Sequence, residues 1–150
     1  MAIWFDEKPD VLDYLKQRNS NTLCDHMGIE FTEIGDDYLT ATMPYSEQTR
    51  QYMNILHGGA SCVLAETIGS VAANLVIDQK KFHAVGLDIN ANHLRPVTKG
   101  LVTGIAKPIM IGRSTQVWEI KMLNDENKMS CISRLTMAVI SAEKLAKVSE

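Results

Sequence analysis

Apolar residues recur at helical spacing near the N-terminus, then fill one long segment almost without interruption, then alternate through four successive runs. Val11, Leu12 and Leu15 fall on one side of a helix expected over 9–16. A second short helix is expected over 22–27, stopped by Gly28. Residues 38–43 read as a strand ended by Pro44, and a polar loop follows over 46–50. The segment 57–77 is the longest apolar stretch. Its Ala, Leu and Glu content favours helix, and a helix apolar nearly all round is buried on most sides. Alternating or β-branched runs over 84–91, 100–107, 115–123 and 131–140 predict four further strands, the last two joined as a hairpin through the polar turn 124–128. Strands that succeed one another without intervening helices pair antiparallel. The pattern therefore predicts an α+β fold, a curved antiparallel sheet wrapped around one long central helix. It reads as a single domain over 1–150, with short N-terminal helices within 9–27 and a core over 28–140.

Composition refines this picture. The chain has 150 residues, 45% apolar and 22% charged, which suits a soluble globular domain with a real core. No run approaches the roughly 18 consecutive apolar residues of a membrane-spanning helix. The N-terminus turns acidic at Asp6 and Glu7, unlike a secretory signal. Cys24, Cys62 and Cys131 are odd in number, far apart and without a CxxC pair, so they read as reduced thiols of a cytoplasmic protein. A net charge of −3 speaks against a nucleic-acid partner. The second half still carries a basic excess, including Lys80, Lys81, Arg95, Lys99, Lys107, Arg113, Lys121, Lys128 and Arg134. That excess fits either a phosphorylated small ligand or a solvated sheet face.

Glu66 is the strongest anomaly, a carboxylate in the long apolar segment with no Lys or Arg from His57 to Asp78. A buried carboxylate without a cation is costly, and such positions are enriched at active sites. The pattern alone gives equal weight to a Glu on the one exposed stripe of the helix. Ser70, four residues on, shares the face of Glu66 and either holds a water against it or is a small packing residue. His57, Gly58 and Gly59 open the helix, where N–H groups without internal partners carry the positive end of the dipole and suit a developing oxyanion. A glycine pair that merely caps the helix is the plainer alternative. Gly58 precedes Glu66 by eight residues, about 12 Å along the axis. One reacting group touches both only if Glu66 comes from a neighbouring helix, which points to a dimer with shared sites. His57 and Cys62 diverge by about 140° around the helix, which excludes that pair as base and nucleophile. His57, His83, His93 and Glu66 show no metal-ligand spacing, and no phosphate-binding glycine motif occurs, so no metal or cofactor is expected.

The run Leu56-His57-Gly58-Gly59-Ala60-Ser61-Cys62-Val63-Leu64-Ala65-Glu66-Thr67-Ile68-Gly69-Ser70 resembles the central-helix motif of the PaaI-type branch of hotdog-fold acyl-CoA thioesterases. The runs from Val85 to Pro96, Gln116 to Ile120 and Ser133 to Thr136 resemble the same branch in the same order, so the likeness spans 22–140. Within this branch the chain resembles the bacterial 1,4-dihydroxy-2-naphthoyl-CoA thioesterases and their paralogue that clears misloaded aryl carrier protein in enterobactin synthesis. The resemblance implies a thioesterase hydrolysing an acyl-CoA with an aromatic or medium-sized acyl group. Glu66 would be nucleophile or general base, the Gly58 N–H the oxyanion donor, Gln51 and His57 the groups that orient the thioester, and Ser70 the holder of the hydrolytic water. Gly86, His93, Leu94, Arg95 and Pro96, with Met110, Ile111, Gly112, Arg113, Ser114 and Thr115, would line the substrate and CoA groove. Guanidinium suits phosphate, which gives Arg95 and Arg113 a reason to be there. The resemblance also implies homodimers with sites at the subunit interface, paired into homotetramers, and an acyl carrier protein as an alternative substrate carrier. One departure stands out. The family loop before His-Gly-Gly usually reads Gln-Pro-Phe-Gly, whereas here it is Gln51-Tyr52-Met53-Asn54. A hotdog-fold hydratase or dehydratase, and a domain that binds acyl-CoA without turning it over, are the alternatives from other classes.

Overall fold

The computed structural model describes residues 1–6 and 10–147. Helix α1 (Val11–Asn19) buries Val11 and Leu15, one turn apart, and packs against the first strand. The expected start of this helix at Pro9 lies outside the described residues. Helix α2 (Leu23–His26) is a single turn, and Gly28 ends it at φ +71°, a left-handed position that favours glycine.

The sheet has six strands where the sequence pattern indicates five. The additional strand is β1 (Glu30–Ile34), which pairs with β2 (Leu39–Pro44). Then come α3 (Gly58–Leu75), β3 (Phe82–His93), β4 (Leu101–Ile111), β5 (Thr115–Leu123) and β6 (Met129–Ser141). A short terminal helix α4 (Ala142–Ala146), absent from the sequence reading, follows β6. Strand order is β1-β2-β4-β5-β6-β3, and every neighbouring pair is antiparallel. This is the expected α+β hotdog arrangement, a curved antiparallel sheet around one long helix.

Helix α3 is shorter than the apolar run 57–77. His57 caps it from outside, and Val76 follows the last turn. Leu64, Ala65, Ile68 and Ala72 face the sheet and meet a core that includes Leu39, Met43, Trp118, Ile120, Leu135 and Met137. Close approach depends on missing side chains: a Cβ at Gly69 would fall 2.5 Å from Leu135 Cδ2, and one at Gly104 would fall 2.4 Å from Ile68 Cδ1.

Two amides fasten helix to sheet. Gln116 is fully buried; it donates to the Ala73 carbonyl at 3.3 Å and accepts from Trp118 Nε1 at 2.9 Å. Asn74 donates to the Ser70 and Ala84 carbonyls at 2.9 and 3.0 Å and accepts from the Ala84 N–H at 3.0 Å. Asn74 thus stands in for a strand partner at the start of β3 and fixes that edge strand against α3. The thiols of Cys24, Cys62 and Cys131 are unpaired, and burial pushes the Cys131 thiol up.

Candidate active site

The start of α3 is prepared by the preceding loop. The Leu56 N–H donates to Val97 O, and the His57 N–H to Thr49 O, each at 2.8 Å. His57 then accepts the Gly59 N–H on its Nδ1 at 2.8 Å. A neutral imidazole that accepts on Nδ1 carries its proton on Nε2, so exposed His57 presents a donor outward. Among the described residues the Gly58 N–H has no acceptor. It is one of the first-turn donors that a helix cannot satisfy itself. The ring of His93, at the end of β3, lies over Gly58, and a Cβ there would sit 3.0 Å from His93 Nε2.

The departure at Gln51-Tyr52-Met53-Asn54 keeps the turn by other means. Asn54 adopts φ +58°, a left-handed value that asparagine tolerates where the family uses glycine. The Asn54 N–H donates to Gln51 O, and the Gln51 side-chain oxygen accepts the Met53 N–H. The Gln51 carbonyl end is thereby tied into its own loop, which leaves the amide N–H pair to donate elsewhere.

Two turns along α3, Glu66 points at β3. Ser70 Oγ donates to its Oε1 at 3.3 Å and lies 3.9 Å from Met137 Sδ. A Cβ at Gly86 would fall 2.4 Å from Glu66 Oε1, so only glycine leaves room for the carboxylate there. Among the described residues no cation forms an ion pair with Glu66. Burial is less complete than the apolar helix suggests. Glu66 is half-buried, and so are Cys62, Val63, Thr67, Ser70, Val71 and Asn74 on the same stripe.

Two clefts flank these groups. One, of about 470 Å³, brings together Gln51, Gly58, His93, Leu94, Arg95 and Pro96, with Ser61 and Ser130. The other, of about 490 Å³, begins at Ser70 and runs toward α1.

A family model described as the thioesterase superfamily matches residues 53–131, more than half of the chain, and spans Gly58, Glu66, Ser70, Gly86 and His93. The chain belongs to this superfamily. It is 42% identical over 138 residues to the 1,4-dihydroxy-2-naphthoyl-CoA hydrolase of Escherichia coli, covering 92% of this chain and 99% of that one. It is 43% identical over 129 residues to the proofreading thioesterase EntH of Cronobacter turicensis, covering 86% and 93%. The crystal structure of a Haemophilus influenzae thioesterase superposes with a TM-score of 0.88 at 49% identity, covering 93% of this chain and 95% of that one.

Within one chain of this thioesterase the expected groove residues do not all meet. Met110 and Ile111 end β4, Gly112, Arg113 and Ser114 form the β4–β5 turn, and Thr115 opens β5, with the Gly112 N–H donating to Thr115 O at 2.9 Å. The register sets Thr115 opposite Ala138 and His93 opposite Cys131. The turn and the His93–Arg95 segment therefore lie at opposite ends of the sheet, roughly 23 Å apart along the strands. Arg95 donates to Met129 O at 2.7 Å and borders a smaller hollow with Lys99 and Lys128.

Asn74 and Ser61 are site neighbours that the sequence reading missed. A polar residue one turn beyond Ser70 in an apolar helix was the available signal for Asn74. Among the described residues no three His, Cys, Asp or Glu side chains converge as metal ligands, and no helix is long and apolar enough to cross a membrane.

Proposed function

We propose that this thioesterase hydrolyses an acyl-CoA to the free acid and CoA at a site shared by two protomers. Glu66 of one chain would act on a thioester whose carbonyl oxygen rests on the Gly58 N–H of the other. The observation that carries this reading is a carboxylate without a cation and an N–H without an acceptor on the same helix, eight residues and about 12 Å apart. A single thioester cannot touch both in one chain.

Strand β3 offers the join. It is an edge strand of 12 residues whose outer side is taken at Ala84 by Asn74 and is otherwise open among the described residues, and a long open edge is a template for a second copy. Antiparallel pairing of β3 with its copy, centred on Asn90 and counting the register shift between Gly86 and Asp88 in each strand, would set Gly86, and Glu66 with it, opposite the partner's His93. The same pairing would set Ala84 opposite the partner's Arg95, at the sheet end where Arg113 lies. Two guanidinium groups separated within one chain would then flank one cleft and suit the phosphates of CoA.

The chemistry follows from these positions. Negative charge developing on the carbonyl oxygen is stabilised by the free N–H and the positive end of the α3 dipole. Gln51 and His57 donate from the same loop and orient the thioester. Either Glu66 attacks the carbonyl carbon, the CoA thiolate leaves and a water then cleaves the anhydride to the free acid and Glu66, or Glu66 takes a proton from a water held beside Ser70, which adds to the carbon and expels the thiolate. No step calls on a metal or cofactor. The E. coli relative's name, a CoA-ester hydrolase, supports the substrate class, and three unpaired thiols support a cytoplasmic location.

The test is thiol release from a panel of aromatic and aliphatic acyl-CoAs, and from the matching acyl carrier proteins, by the native chain and by Glu66→Gln. Release that collapses in the variant supports the reading, and the best substrate names the acyl class and carrier. An altered but intact thioester would replace hydrolysis with hydration or dehydration. Mixing inactive Glu66→Gln with inactive Gly58→Pro should restore turnover, because one site in each mixed dimer keeps both native halves. No restoration in verified mixed dimers refutes the shared site.

A further inference from the structure

The second cleft carries an inference that rests on Glu66 being the catalytic carboxylate. Its near wall is Ser70, one hydrogen bond from Glu66, so a group leaving the thioester carbon in that direction enters the cleft. Val71, Leu75 and Val85 give it apolar sides, and its volume of about 490 Å³ admits a ring or a medium chain.

Most of its polar groups are already committed. The Asn74 amide makes three bonds to backbone, Gln79 Nε2 donates to Asn74 O at 2.9 Å, and the Ser70 hydroxyl serves Glu66. At the far end, on α1, stands Arg18. It donates from Nη1 to the Tyr14 hydroxyl at 2.7 Å, and its guanidinium carbon lies 5.4 Å from the centre of the Tyr14 ring. The ring holds the guanidinium in place while its other N–H donors stay available. Among the described residues no Asp or Glu lines the cleft and Arg18 forms no ion pair. Arg18, exposed but steadied by Tyr14, is a cation at the end of a cleft also lined by His83 and Asn19 and, among the described residues, by no acid, and such a group is a receptor for an anion.

We infer that this cleft takes the end of the acyl group remote from the thioester, and that Arg18 selects acyl groups ending in a carboxylate. Carboxylate matches the planar guanidinium fork.

The experiment compares kcat/KM for 4-carboxybenzoyl-CoA and 4-carbamoylbenzoyl-CoA, equal in size and differing in charge, and for adipoyl-CoA and its terminal amide. The native enzyme should favour the carboxylate of each pair by about five-fold, the scale of a partly solvated bidentate pair. Arg18→Gln should bring the ratio to about one, through KM of the carboxylated member, and Arg18→Glu should invert it. A native ratio at or below one overturns the inference. So does a ratio unchanged in Arg18→Gln, or an equal loss on both members, which would make Arg18 merely structural. No release from any of the four thioesters by enzyme that turns over other acyl-CoAs overturns it as well, whereas release that persists in Glu66→Gln is a different failure. It removes the thioesterase reading of Glu66 and this inference with it.

Discussion

Replacing Gly58 by proline removes one hydrogen atom at the proposed oxyanion site and disturbs little else. Gly58 is the first residue of α3, where proline is favoured because its missing N–H has no helical partner to lose. The preceding residue must be extended, and His57 already sits at φ −67°, ψ 130°. Because the Gly58 N–H has no acceptor among the described residues, the substitution forfeits no hydrogen bond there. The side chain does add a Cβ 3.0 Å from His93 Nε2, a few tenths of an ångström too close. Gly58→Ala adds the same Cβ and keeps the N–H, so it measures the steric part alone. If the N–H receives the oxyanion, kcat should fall by about 100- to 1,000-fold in Gly58→Pro relative to Gly58→Ala, the loss of about 3–4 kcal/mol of transition-state stabilisation seen when such a donor is removed. Thiol release under saturating acyl-CoA gives kcat, and thermal unfolding checks that both variants keep the fold. Equal kcat values in the two folded variants would refute the assignment.

Two other substitutions follow directly from the packing. Gly86→Ala should lower kcat by about 100-fold with little change in thermal stability, because its Cβ would fall 2.4 Å from Glu66 Oε1 and displace the carboxylate. A variant as active as the native enzyme would show that Glu66 need not occupy that position. Gln116→Leu should destabilise the fold by about 2–3 kcal/mol in chemical denaturation, because it strands the buried Trp118 N–H and leaves Ala73 O in the last helical turn unpaired. A loss under about 0.5 kcal/mol would mean that Gln116 ties nothing down.

The parts of this fold that the sequence makes legible are those whose packing repeats. Leu64, Ile68 and Ala72 repeat at helical spacing, and the inward residues of β5, Gln116, Trp118, Ile120 and Met122, repeat at two. Strand β1 escapes because Glu30, Thr32 and Glu33 are polar and the register slips between Phe31 and Glu33, which breaks alternation. The ends of β3 escape for a related reason. His83, Asn92 and His93 lie on an edge strand that buries little, so no apolar period marks them. In the site, Glu66 and Ser70 are legible because one turn of helix fixes their meeting. The contacts of Gly58 with His93 and of Glu66 with Gly86 join positions 35 and 20 residues apart in the chain, and only the sheet register brings them together. The loop departure at Asn54 is the reverse case. The residue types changed, but the left-handed backbone position that they must supply did not.

The stripe on α3 is where local pattern and single-chain structure part company. The sequence pattern indicates burial on most sides, and one chain leaves Cys62, Val63, Glu66, Thr67, Ser70 and Val71 half-buried. If that stripe faced water, Val63→Lys would be harmless, since lysine is a good helix former at an exposed position. If a second α3 covers it, as in the proposed shared site, the same change puts an unpaired ammonium into an apolar contact. The cost of several kcal/mol should raise the dimer dissociation constant by at least about 100-fold. Sedimentation velocity across a dilution series measures that shift, and activity should fall with the dimer population because the proposed site draws on both chains. A native chain that is monomeric at micromolar concentration, or a Val63→Lys variant that dissociates without losing turnover, would break the link between the stripe, the edge strand and the catalytic carboxylate.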